Sequence, residues 1–343
     1  MRPAVYAIVL ACLCLAPVRA TDPDIRSLLD GGHFKRARAL IEPRVNANPS
    51  DAEAAAALAR VRAVYGDIDT AQRLAETAVK LRPDVAEYHW QLAQVVGNQA
   101  ENANVLRQIG LARRFRLETE TTIKLDPKHI EARSAMITFF IRAPGIMGGD
   151  RKKADAMAEE IARIDAAAGH LARAQVLSDT KSTGDFETLY RKAADTALTT
   201  DIKYRATAAL TNWYLAQKPP RYDMAEQPLR ALMKIDASRI GSYRGLAIVY
   251  ASTARWPELD AVLGESEKAI PDNLAPYYRA ATAIILEGKD YARADRYLRK
   301  YLTQEPEPNS ATLAQAHWRL GQALEKAGNR ARRRSARWNT PRS

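Results

Sequence analysis

Cysteine is nearly absent from this chain. The 343 residues hold two, Cys12 and Cys14, both in an apolar stretch at the start. The rest of the chain therefore has no disulfide framework and no thiol nucleophile, and its stability must come from an apolar core. Histidine is scarce too. The five residues His33, His89, His129, His170 and His317 never take the H-x-x-x-H spacing that sets two imidazoles on one helical face. They read as surface or capping residues, and no metal or other cofactor is expected. There is no G-x-S-x-G elbow and no S-x-x-K with its companion motifs. Glu159 and Glu160 are sequence neighbours on a helix, so their carboxylates point apart and cannot share a proton. These absences argue against an enzyme.

The missing acid at the end of the chain matters as much. Net charge is +12, but Arg2 and Arg19 lie in the first twenty residues. Arg330, Arg332, Arg333, Arg334, Arg337 and Arg342 crowd the last fourteen, which carry no acid, so residues 21–329 hold about +4. Basicity is a property of the tail. The start has the layout of a secretory signal peptide, with one arginine, an apolar run from Ala4 to Leu15, and small residues at Val18 and Ala20. That run is too short to span a membrane. The expected division is a signal peptide over 1–20, a folded body over 21–329, and a basic disordered tail over 330–343. Export to a periplasmic or secreted location follows and sets nucleic acid aside as a partner. The lipoprotein alternative, with Cys12 acylated, ranks second because the apolar run before it is very short. Three readings of the tail stand side by side: a solvating cap, a weak anchor on anionic lipid through Arg330 to Arg342, or a truncated final repeat. The anchor would gain about 1 kcal/mol per basic residue near the surface.

The body repeats. "NANPSD", "KLRPDV", "KLDPKH" and "KAIPDN" end four segments alike, with prolines at 49, 83, 127 and 271. "RIDAAA" and "KIDASR" carry alanine at the same place. Pro49 and Pro83 are 34 residues apart, and Pro83 and Pro127 are 44 apart, one unit plus ten. Each unit reads as two amphipathic helical segments about a small turn. A small residue falls where the two must touch: Ala37, Ala71, Ala225 and Ala294. Together these features resemble the tetratricopeptide repeat, a helix-turn-helix closed by a helix-ending proline. The resemblance implies an all-α, right-handed α-solenoid of about eight repeats with a concave face. Units start near 18, 52, 86, 130, 170, 204, 240 and 275, and a lone helix follows from about 314. Insertions fall near 97–110 and 144–149, and Phe115 stands where a small residue is expected.

The second insertion, "APGIMGGDRKKA", has two glycines beside a basic run. It lacks the strand and the G-x-x-x-x-G-K-[S/T] spacing of a phosphate loop. It reads as a long turn. Pro144 ends one helix, Gly148 and Gly149 permit positive φ, and Asp150 caps the next helix. Ile146 and Met147 are expected to pack over the preceding insertion and fix a bend. The loop is similar to that of exported bacterial tetratricopeptide proteins carrying "APGIxGG", which implies export but no mechanism.

Tyr88, Tyr204, Tyr214, Tyr243, Tyr250, Tyr277 and Tyr278 fall at first-helix packing positions and are expected in or near the core. What the resemblance implies for the concave face is a line of first-helix positions. Trp90, Thr138, Arg142, Arg205, Asn212, Arg244, Arg279 and Trp318 fall there, with Glu131 beside them and Ala283 next to Arg279. Asn212, Arg244 and Arg279 are similar to the residues of carboxylate-clamp repeats, though without their order within one helix. Arginine suits such a role because its planar fork makes paired, charge-assisted hydrogen bonds. Solvation of a polar face is the competing account. The expected function is a non-enzymatic scaffold of the cell envelope that binds a protein or peptide segment, acidic in character. The alternative is a peripheral membrane or envelope-assembly adaptor working through the tail. Intact-mass measurement of the exported chain is expected to give Thr21 as the first residue, and a lipid-modified chain beginning at Cys12 would establish the alternative.

Overall fold

The computed structural model describes residues 24–338, with Asn102, Val105 and 329–338 described by backbone alone. Residues 1–23, which hold the expected signal peptide with Cys12 and Cys14, and residues 339–343 lie outside the described residues. Seventeen α-helices and one 3-10 turn, and no strand, make up what is described. They pair as first and second helices of eight units: α1 (Ile25–Gly31) with α2 (Phe34–Ala47), α3 (Ala52–Val64) with α4 (Ile68–Leu81), α5 (Ala86–Asn102) with α6 (Val105–Leu125), and α7 (Ile130–Arg142) with α8 (Arg151–Ile164). Then follow α9 (Ala166–Asp179) with α10 (Phe186–Thr196), α11 (Thr200–Ala216) with α12 (Tyr222–Ile235), α13 (Ile240–Thr253) with α14 (Trp256–Ala269), and α15 (Ala275–Leu286) with α16 (Tyr291–Tyr301). The last helix, α17 (Leu313–Trp338), has no following partner among the described residues. The result is an all-α solenoid.

Local chemistry sets the boundaries. Asp51, Asp67, Asp165, Asp185 and Asp290 each cap a helix by accepting a backbone N–H of its first turn. Ala37, Ala71, Ala225 and Ala294 are fully buried at the crossings, where a larger side chain would force the paired helices apart. Unit three reverses the size rule. Phe115 on α6 is the large partner, and Gly97 on α5 makes room for it. A Cβ at Gly97 would lie 3.1 Å from the Phe115 ring. The ten additional residues of that unit form no loop. They lengthen α5 to 17 residues and α6 to 21.

Units five to eight share a further polar device. Glu187 of α10 accepts from Tyr214 Oη (2.8 Å) and Arg221 (2.9 Å). Glu226 of α12 takes Tyr250 Oη (2.8 Å) and Arg255 (2.5 Å) in the same way. Asp260 of α14 takes Tyr297 Oη (2.5 Å) and Arg293 (2.8 Å). Each acid thus stitches one second helix to the unit that follows.

Several expectations are corrected. Ile146 is 93% exposed and packs on nothing, so it fixes no bend. The loop is held by its backbone instead. Gly145–Met147 is a 3-10 turn, Gly148 has φ 94°, and Asp150 N–H bonds Phe140 O at 2.8 Å. Gly149 is required for close approach, since a Cβ there would fall 1.8 Å from Ala143 O. His33 and His89 are buried, not surface residues, and His89 is held by Glu118 (2.6 Å) and the Pro83 carbonyl (3.1 Å). Finally, the backbone of 330–338 continues α17 where the sequence suggests disorder. Alanine and arginine are strong helix formers, and a helix extended from an anchored turn needs no buried stripe of its own.

The two ends of the solenoid meet. Lys35 of α2 donates its Nζ to Asp272 O (2.6 Å) and Glu305 O (2.7 Å), and Arg36 grips the Asp272 carboxylate with two N–H groups. Glu307 accepts Lys35 N–H at 3.2 Å, so it caps α2, whose own N-cap residue His33 makes no side-chain bond. The Glu307 side chain is 1% exposed, and burial pushes its carboxyl up to about 7 although Lys35 opposes the shift. His33 is lowered by burial and by Arg36.

Two measurements follow. Gly149→Ala is expected to cost about 2–4 kcal/mol in thermal or denaturant unfolding, while Ile146→Ser changes stability by less than about 0.5 kcal/mol. Because the folded Glu307 carboxyl titrates above its ordinary 4.5, its contribution is full below that value and is lost as pH rises through about 7. Glu307→Gln stays neutral throughout. Its stability relative to the parent chain should therefore climb between pH 5 and 8, the His33 contribution being common to both.

Candidate functional site

The first helices carry the candidate residues, and the structure sorts them into three groups. At the N-terminal ends of α5, α7, α11 and α13 lies a closed set of charges. Trp90 is half-buried with its ring edge-on to His129 at 5.5 Å. His129 lies 3.6 Å from both Glu87 and Glu131. Burial alone would raise Glu87, yet hydrogen bonds from His129 and Gln91 hold it below the usual carboxylate range. Arg205 reaches from α11 to Glu131 on α7 at 2.5 Å and lies 3.8 Å from Asp201, which also faces Arg239 at 3.5 Å. Arg239 in turn sits over the Tyr204 ring at 4.3 Å. Arg205 is therefore already paired, which removes it as a free cation for a partner.

The second group is also satisfied internally. Thr138 donates to Asp179 at 2.8 Å and accepts from Gln175 at 2.9 Å. Arg142 is mostly exposed, 3.8 Å from Asp179 and 4.0 Å from Glu101.

The third group differs. Arg244 of α13 and Arg279 of α15 are half-buried, and among the described residues neither takes an ion pair or a hydrogen bond. Burial lowers the Arg244 pKa, and the like charge of Arg279 lowers it further. Tyr301, at the end of α16, sits in the field of both. Burial and the neighbouring Tyr278 push its hydroxyl up to about 12, with the two arginines opposing. Its ring centroid is 5.3 Å from that of Tyr278, and its hydroxyl donates to Ala311 O at 2.5 Å. Two like charges withdrawn from water without an acid between them are costly, and an incoming carboxylate would relieve both.

Asn212 is exposed on α11, and among the described residues it has no side-chain partner and no contact joining it to the arginine pair. Ala283 is 7% exposed in the core, so it does not line an open face. Trp318 is 59% exposed on α17 with the Arg319 guanidinium 4.7 Å over its ring, away from the other candidates. Glu87, His129 and Tyr301 escaped the sequence projection. Glu87 and His129 lie at helix starts, where composition reads as capping, and Tyr301 lies at the end of a second helix.

Near the "PGIMGG" turn, Arg113, Arg116, Leu117 and Glu120 of α6 border an open cleft of about 510 Å³ with residues 145–148. Arg116 is paired with Glu120 at 2.7 Å. Among the described residues no group of three or more His, Cys, Asp or Glu could hold a metal, and no helix is long and apolar enough to cross a membrane.

No family model and no curated protein matches this chain. Solved structures are similar in part. A thermophilic TPR protein of Thermus thermophilus is 20% identical over 54% of this chain and 95% of that one, with a TM-score of 0.45. Yeast Tom70 is 12% identical over 88% of this chain and 72% of its own, at 0.39. A tetratricopeptide repeat protein from Parabacteroides merdae is 11% identical over 88% and 96%, at 0.38. At these scores the repeat architecture rests on the chain's own helix pairs and buried alanine crossings.

Proposed function

We propose that this chain is a non-enzymatic interaction scaffold, exported to the cell envelope, that holds an acidic protein segment against its first-helix face. The observation that carries the reading is the Arg244–Arg279 pair. Both guanidiniums are half-buried and without an ion pair or hydrogen bond among the described residues, whereas Arg205 and Arg142 lie beside acids of the chain itself. Carboxylates of a partner would supply the missing counter-charge. The planar forks would orient them, and Tyr278 would give an aromatic wall beside them. Electrostatic recognition of this kind weakens with salt wherever the charges remain in reach of water.

The test replaces Tyr278 by the photocrosslinking residue p-benzoylphenylalanine, with and without Arg244→Glu, in cells, and identifies adducts by mass spectrometry. A protein adduct at residue 278 that falls at least about tenfold in the Arg244→Glu background is expected, since reversing a desolvated charge contact costs several kcal/mol. An adduct unchanged by the reversal would sink the site.

A further inference from the structure

The contacts joining the two ends of the solenoid are of a different kind from those inside it. Every neighbouring pair of units is held by apolar side chains, but among the described residues no apolar cluster crosses the seam. Leu28, Leu29, Phe34 and Ile41 belong to a cluster that ends within the first two units, and Leu274, Tyr301 and Ala316 belong to another at the far end. Between them lie the Lys35 bonds to two carbonyls, the Arg36–Asp272 pair and the Glu307 cap. The seam is thus held by hydrogen bonds and charge rather than by a shared apolar cluster.

The closed seam is also incompletely satisfied. Among the described residues, four of the seven buried side-chain atoms that lack a hydrogen-bond partner sit on its residues: His33 Nδ1, Tyr65 Oη, Gln304 Oε1 and Glu307 Oε1. Tyr65 belongs to the seam because Glu307 and Glu305 raise its hydroxyl after burial does. Unmade hydrogen bonds favour opening, while the Arg36–Asp272 ion pair and the Lys35 bonds favour closure, which is the balance expected of an element with two accessible states.

The seam is joined to the arginine site through two routes. Asp272, gripped by Arg36, stands in the turn that starts α15, the helix bearing Arg279. Asn273, next to it, accepts the Ala275 N–H at 3.1 Å. The segment carrying Glu305 and Glu307 leaves from Tyr301, whose hydroxyl holds its far end at Ala311.

We propose that the α1–α2 hairpin is a clasp that closes the solenoid beside the Arg244–Arg279 site, and that a partner segment enters only when the clasp opens. The inference rests on the reading of that site as the partner-binding one. The clasp holds through charge and a borrowed helix cap. Leu28, Leu29 and Ile41 stay packed on Ala54, Leu58 and Val61 of α3 when the seam parts, so the opening is taken up as a small change of curvature along the stacked units. Binding and opening are then linked, and whatever weakens the seam strengthens binding.

Nitroxide labels on Ser27→Cys and Thr303→Cys of the exported chain report the end-to-end distance by pulsed electron resonance. One narrow distance is expected for the parent, a longer and broader distribution for Arg36→Asp, and recovery for the charge swap Arg36→Asp with Asp272→Arg. A fluorescent decaglutamate peptide serves as the binding probe. Arg36→Asp should bind it at least about fivefold more tightly although it lowers the net positive charge, and the swap should return the parent affinity. A distance that ignores Arg36→Asp overturns the clasp. An open distance with no gain in affinity overturns the gate. A peptide that binds no form, with the distance opening as expected, overturns the site reading and the gate with it, while the clasp itself stands.

Discussion

Close approach of paired helices at an alanine is the constraint on which the remainder depends. With Ala37, Ala71, Ala225 and Ala294 fully buried, the helices of four of the eight pairs can approach closely, and their stacking builds the solenoid. The path of the stacked units brings Lys35 and Arg36 back to Asp272 and residues 305–307, more than 230 positions along the chain. One bulky residue at a crossing would displace every later unit. Unit three avoids this by moving the small residue from the second helix to the first, Gly97 opposite Phe115.

The architecture was legible because it is local and repeated. Proline and turn signals recur at near-constant spacing, and alanine at the crossing is a steric requirement visible in any single unit. Asp150 and the "PGIMGG" turn were legible for a similar reason, being backbone chemistry of adjacent residues. What was not legible is long-range or compensatory. The ten extra residues around "GNQAENANVL" read only as an insertion near 97–110, with nothing local to say what form they take. They lengthen two helices because most of their neighbours are good helix formers with a packed face available. His33 reads as a surface residue because nothing local reveals that residues 236–238 and 272 will lie over it.

The candidate site follows the same division. Projection along the first helices found Arg244 and Arg279 because they repeat a position. It could not separate them from Arg205, since the acid that neutralises Arg205 is Glu131, 74 residues earlier. Pairing, not residue type, decides which arginine can serve a partner. The phenol of Tyr301, contributed by a second helix, lay outside the projection altogether.

The distribution of apolar contact along the solenoid has a consequence for how it comes apart. From Tyr204 to Ala323 the buried side chains form one continuous cluster, reinforced by the carboxylate stitches at Glu187, Glu226 and Asp260. The earlier half is divided among separate clusters around Ile41, Leu92 and Ile137, much of it alanine. A linear array of this composition does not melt as a single block. The later units form a cooperative nucleus, and the earlier ones fray from the free end unless something holds it. Attachment of that end to Asp272 turns an open chain of units into a loop, in which fraying can no longer begin at α1 without first breaking the seam.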